Sequence, residues 1–264
     1  MPTDALVDSS AIRRWPTMLE RWAIPEDLMA AAPTSPYFFD PAVFIEITDE
    51  AIARADDTVS DRIAREALPS NGTLLDVGVG AGAASLRRRA REIVGVDANR
   101  VLLHAFVERA AQLGTIAIAV EGTWPAVARQ TPVVDVAVCH HVIYNVPDLA
   151  AFARALAVHA RHRVVIEFTV QHPMAWMTPY WTAMHGLDQP DGPTVDDAIA
   201  VFSELGLDVH EQRWNRRYQM IGETGPDQVA RVARRLCLPA ERHDELREVL
   251  TTTPPPVERE VVTV

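Results

Sequence analysis

The hydrophobic pattern changes character near residue 70. Before it, apolar residues recur at helical spacing and are broken by prolines. Trp15, Leu19 and Trp22 mark a helix over 12–23, and another follows over 25–32. An aromatic turn region over 33–41 carries Tyr37, Phe38 and Phe39. Helices are predicted over 42–55 and 57–68, the last stopped by Pro69 and the turn Ser70-Asn71-Gly72. After it, short apolar runs alternate with helical stretches, the signature of a mainly parallel sheet with helices on both faces. The predicted strands are 73–77, 92–96, 115–120, 133–139, 163–168 and 207–213, and helices fall at 83–91, 100–112, 147–159 and 195–205. A helical pair over 225–251 starts at Gly225-Pro226-Asp227, and the β-branched run Val261-Val262-Thr263-Val264 reads as a last strand. The organisation expected is a helical N-terminal arm or lid over 1–70 and an α/β domain over 71–264, with a lid-like insertion over 171–194.

Composition narrows the classes. No stretch approaches a membrane span, and the first ten residues lack the apolar run of a signal peptide, so the expected compartment is the cytoplasm. Two cysteines, Cys139 and Cys237, are too few for a disulfide framework or a structural zinc site. A net charge of −11 disfavours nucleic acid as a partner, because its phosphates would be repelled. All 25 basic residues are arginine. Without lysine there is no phosphate-gripping P-loop lysine and no Schiff-base lysine. A homodimer stays open.

The glycine-rich turn Asp76-Val77-Gly78-Val79-Gly80-Ala81-Gly82 closes the first predicted strand and feeds a predicted helix. Bare backbone at a helix N-terminus suits a nucleotide-like cofactor. Gly78, Gly80 and Ala83 also fit the dinucleotide pattern, and Asp97, ending the next strand, suits ribose hydroxyls in either cofactor class. Asp76 separates the readings. A dinucleotide-binding strand is usually apolar up to its first glycine, whereas a carboxylate here needs partners that an amino group and a sulfonium supply.

These residues resemble the first motif of the class I S-adenosylmethionine-dependent methyltransferases. The resemblance continues through Val94-Gly95-Val96-Asp97-Ala98-Asn99, Glu121-Gly122-Thr123-Trp124-Pro125 and the run from Asp135 to Val142 that includes His140 and His141. It implies a Rossmann-like, seven-stranded, mainly parallel sheet of order 3-2-1-4-5-7-6, with S-adenosylmethionine as the cofactor. It further implies that Asp76, Gly78, Gly80 and Gly82 line the methionine end and that Asp97 and Ala98 meet the ribose. Gly122, Thr123 and Trp124 would flank the adenine, with the Thr123 hydroxyl or Trp124 stacking standing in for a frequent aspartate. The activity implied is methyl transfer to oxygen, nitrogen or carbon of a small organic acceptor. The alternatives are an NAD(P)-dependent oxidoreductase and a non-catalytic cofactor-binding protein of the same fold.

Methyl transfer is an in-line displacement, so a base is needed only for a protonated, weakly nucleophilic acceptor. His141 and His172 are the candidate bases, each with a structural histidine as its alternative, and His140 is expected to wall the cofactor. Tyr144, Asn145 and Glu167 lie at strand ends or in the loops after them, where α/β sheets bind ligands. Together with Tyr37, Trp176 and Trp181 they are the candidate acceptor contacts, core packing being the alternative for the aromatics. No histidine spacing makes a metal motif.

Overall fold

The computed structural model describes residues 10–217 and 226–264. Gly225 of the expected turn lies outside them. Four helices precede the sheet: α1 (Ala11–Glu20), α2 (Glu26–Ala31), α3 (Pro41–Ala53) and α4 (Val59–Ala67). Their starts follow from local chemistry. Asp40 caps α3 with Pro41 at its first position, and Thr58 and Asp61 form a reciprocal capping box on α4. The α1 N-terminus is capped from a distance, since Glu204 accepts from the backbone of Ala11 and Ile12 at 3.1 and 3.0 Å.

The sheet comprises β1 (Thr73–Val77), β2 (Glu92–Asp97), β3 (Ile116–Glu121), β4 (Val134–His140), β5 (Ala160–Thr169), β6 (Gln212–Arg217) and β7 (Glu258–Thr263). Its order is β3-β2-β1-β4-β5-β7-β6. The first five strands pair in parallel, and β7 runs antiparallel to both β5 and β6. This is the order that the family resemblance implies. Between and after the strands lie α5 (Arg100–Gln112), α6 (Leu149–His159), α7 (Thr178–His185), α8 (Val195–Glu204), α9 (Pro226–Arg235) and α10 (His243–Thr252).

One face of the sheet packs Leu75, Val77, Ala137 and Phe168 against α1, α6 and α8. The other packs Leu74, Ile93 and Val138 against α4, α5 and the turn after β1. Trp15 of α1 is fully buried and its indole N–H donates to the Val146 carbonyl at 2.8 Å, so α1 belongs to the main core. A separate apolar cluster joins α7 to α9 and α10 through Tyr180, Trp181, Val232, Leu236 and Leu246. Among the described residues no helix is long and apolar enough to cross a membrane.

Two sequence expectations are corrected. The helix expected over 83–91 is a single 3-10 turn, Leu86–Arg88, ended by Arg89 in the left-handed region at φ 55°. Leu86 and Arg88 both turn inward, Arg88 onto buried Asp61, and that demand overrides helix continuation. The sixth strand is β6, not 207–213. Leu207 and Val209 pack on the core from an irregular segment, while the strand itself is polar, Gln-Arg-Trp-Asn-Arg-Arg, as an edge strand can be.

Candidate active site

A cavity of about 950 Å³ opens at the C-terminal ends of β1, β2, β4 and β5. One end is backbone. Gly78 and Gly80 have φ of 74° and 54°, a region other residues rarely adopt. A Cβ on Gly78 would meet Val142 Cγ2 at 2.3 Å, whereas one on Gly80 would meet nothing within 4 Å. Gly78 is thus fixed by packing, and Gly80 leaves an open approach to bare backbone. The Gly80 N–H donates to Asp97 Oδ2 at 2.9 Å, and Asp97 Oδ1 accepts from the Asn99 N–H at 2.8 Å. Each oxygen keeps acceptor capacity on the cavity side. Ala98, Gly122, Thr123 and Trp124 complete this wall, with the Trp124 indole donating to the Phe152 carbonyl at 3.3 Å. A 3-10 turn replaces the helix expected directly after the glycine turn, while Asn99, the N-cap of α5, stands on the same wall.

Asp76 and Gly82 stand apart from the expectation, for neither is among the residues that line the cavity. Gly82, at φ 103°, is held against Leu86 and Phe106. Asp76 is fully buried beneath the turn, and both its oxygens lack a hydrogen bond of ordinary geometry. Burial pushes its carboxyl up to about 7, opposed by the nearby Ser85 hydroxyl and Arg88 guanidinium.

The other end is built from side chains. Parallel register sets His140 beside Glu167, and antiparallel register sets Glu167 beside Thr263. Glu167 is the hub. Its Oε1 contacts His141 Nε2 at 3.0 Å and accepts from Arg216, and its Oε2 accepts from Ser60 Oγ at 2.6 Å. Ser60 in turn shares a 2.7 Å hydrogen bond with Thr263, which accepts from the Trp214 indole. Burial by itself would raise the Glu167 carboxyl. The Arg216 guanidinium and the hydrogen bond with His141 outweigh it and hold the group well below the usual carboxylate range. The His140 ring, buried with Nδ1 3.7 Å from Glu167, is driven down to about 3 and is neutral.

His141 lines the cavity in a left-handed backbone conformation, φ 59°, with its N–H donating to the Glu167 carbonyl at 2.6 Å. Arg216 also approaches His141 Nε2, at 3.3 Å. That nitrogen cannot donate to Glu167 and accept from Arg216 at once. Beneath it, Asp61 pairs with Arg54, Arg87 and Arg88. Sequence reasoning missed Ser60, Arg216 and Thr263, whose convergence depends on where β7 and β6 insert.

His172 sits in a more constrained setting than the expectation of a base supposed. It lines the cavity, stacked on Trp22 at 3.9 Å, but its Nδ1 accepts from the Met174 N–H at 3.2 Å. Nε2 therefore carries the proton of the neutral ring, and burial with nearby Arg235 drives the pKa down to about 3. In this arrangement the ring presents its Nε2 proton outward. Tyr144 is buried, with its hydroxyl donating to the Thr169 carbonyl at 2.9 Å. Trp181 sits in the α7 cluster, and Trp176 lies under Arg259. None of these three lines the cavity, whereas Asn145 and Tyr37 do. Among the described residues no group of three or more His, Cys, Asp or Glu could hold a metal ion.

A family model described as a methyltransferase domain matches residues 50–235. A solved S-adenosylmethionine-dependent methyltransferase from Thiobacillus denitrificans, in complex with S-adenosyl-L-homocysteine, aligns at 17% identity with a TM-score of 0.51, covering 86% of this chain and 98% of that one. The YcgJ protein from Bacillus subtilis aligns at 16% identity and TM-score 0.50, covering 77% and 95%. At these identities the likeness is one of fold. No curated protein matches the sequence. A methyltransferase-domain match over residues 50–235 of 264, on a sheet of this order, makes the chain a member of the class I S-adenosylmethionine-dependent methyltransferase family.

Proposed function

We propose that the cavity brings S-adenosylmethionine and a small organic acceptor end to end, with the methyl group passing near His141. The observation that carries this reading is the continuity of one cavity from Gly80 and Asp97 to His141 and Glu167. The cofactor fits the residues present: Gly80 offers an open cradle that a side chain would fill, and Asp97 offers acceptor capacity for ribose hydroxyls. When bound, S-adenosylmethionine supplies a methyl group on a positive sulfur. Gly78, Gly80, Gly122, Thr123 and Trp124 hold its two ends, and Asp76 acts from beneath the turn as a positioning residue.

On the acceptor side, Glu167 fixes the His141 ring, and His141 takes a proton from an acceptor that must lose one. His140 stays neutral as part of the wall, and Asn145 and Tyr37 flank the acceptor. The segment 33–41 covers the opening, which excludes water from the displacement. Calorimetric titration with S-adenosylmethionine, S-adenosylhomocysteine and NAD tests the cofactor half. The first two should bind and NAD should not; binding of NAD alone would favour an oxidoreductase. A methyl-acceptor screen then expects turnover that requires His141.

A further inference from the structure

One wall of the cavity carries a cation between aromatic rings. Arg235, the last residue of α9, lies partly buried in the wall between two aromatic rings, its guanidinium carbon 5.4 Å from the Tyr37 centroid and 5.2 Å from that of Phe39. Its Nη1 donates to the Pro36 carbonyl at 2.6 Å and its Nε to Met174 Sδ at 3.3 Å. Those contacts tie the aromatic segment of the N-terminal arm to the C-terminal helical pair. They do not neutralise the charge. Among the described residues no carboxylate pairs with Arg235, and Nη2 makes no hydrogen bond.

The rest of the acceptor end sharpens the contrast. Its two carboxylates, Asp61 and Glu167, are each already held by arginine, Asp61 by Arg54, Arg87 and Arg88 and Glu167 by Arg216. Four arginines, Arg54, Arg216, Arg217 and Arg235, line that end of the cavity. A chain of net charge −11 therefore presents a cationic wall here. A partly buried guanidinium without a counter-ion costs free energy that an incoming anion recovers, and its planar fork suits a carboxylate. Phe44, Ile47 and Met174, also on the wall, would meet an apolar body.

We propose that Arg235 receives the carboxylate of the methyl acceptor, so that the substrate is a small organic acid with an apolar body. This rests on the methyltransferase reading of the cavity and deepens it. Arg235 acts in recognition, and Tyr37 and Phe39 keep its fork in place.

The test separates the two levels. S-adenosylhomocysteine is first titrated into wild type and Arg235→Gln. Affinities within about twofold are expected, because Arg235 lies away from the glycine turn; failure of wild type to bind it would sink the cavity reading itself. The loaded protein is then titrated with 4-hydroxycinnamate, salicylate and 3-phenylpropanoate and with their amides. At least one acid should bind about tenfold or more tighter than its amide, the worth of a charge-assisted hydrogen bond. Arg235→Gln should level that pair, and Arg235→Lys, which keeps the charge without the fork, should retain a reduced preference. The wild-type comparison needs no variant and decides even where Arg235→Gln fails to fold. Equal binding of acids and amides, no binding of any acid, or a preference unchanged in both variants overturns the proposal.

Discussion

The two ends of the cavity are made in different ways. The cofactor end is backbone and short-range: Gly78, Gly80 and Asp97 lie within 20 positions of one another and are tied by one hydrogen bond, from the Gly80 N–H to Asp97. The acceptor end is side chain and long-range: Ser60, His141, Glu167, Arg216 and Thr263 meet from five separate elements or loops. Backbone geometry set by a local turn tolerates change elsewhere. A convergence of charged side chains is held by the whole fold, and losing one partner leaves the others buried and unpaired.

That contrast can be broken most severely at Gly80. Gly80→Val puts a side chain into open space but at a φ of 54° that strains it, so the variant should melt lower than wild type, and its cofactor approach should be blocked. Affinity for S-adenosylhomocysteine should fall by about 100-fold or more, as a methyl group driven into a ligand contact cannot be relieved. Near-normal binding in calorimetry would show that the turn does not meet the cofactor. His141→Ala comes next. Loss of a general base lowers kcat by about 100-fold, with cofactor affinity unchanged. If kcat is unaffected, His141 is structural and the acceptor needs no base. Asp97→Ala should weaken S-adenosylhomocysteine by about tenfold, the value of hydrogen bonds to a charged group, without lowering thermal stability much.

The smallest effect concerns Asp76 and pH. An aspartate whose folded pKa is raised takes up a proton on folding, so the stability it costs grows as pH climbs from 3.8 toward about 7. Asp76→Asn should therefore gain melting temperature relative to wild type at about pH 8 more than at about pH 5. His140 and His172, both driven down to about 3, give the opposite slope over the acid side and are common to both proteins. A difference independent of pH would mean that the Asp76 carboxyl is not perturbed.

The same contrast explains what was legible in the sequence. The alternation of strands with helices showed a mainly parallel sheet and the local offsets of the glycines and Asp97 showed the turn, whereas the strand order came from the family resemblance that those motifs carry. The error over 83–91 arose where tertiary burial of Arg88 on Asp61 overrode a helical pattern. The error at β6 arose because apolar Leu207 and Val209 look more like a strand than the polar edge strand does. Trp176 and Trp181 were candidates because aromatics in a connector suggest a lid, yet composition cannot tell a cavity wall from the cluster under α9 and α10. Arg235 could not be singled out among 25 arginines, since only the fold brings it to Tyr37 and Phe39.

The direction in which the cofactor lies decides between these roles of the two ends. A crystal structure of the protein with S-adenosylhomocysteine bound measures it directly: the ribose should lie on Asp97, the adenine beside Thr123 and Trp124, and the sulfur should face His141 across the open part of the cavity. A ribose away from Asp97, or a sulfur turned from His141, would contradict it.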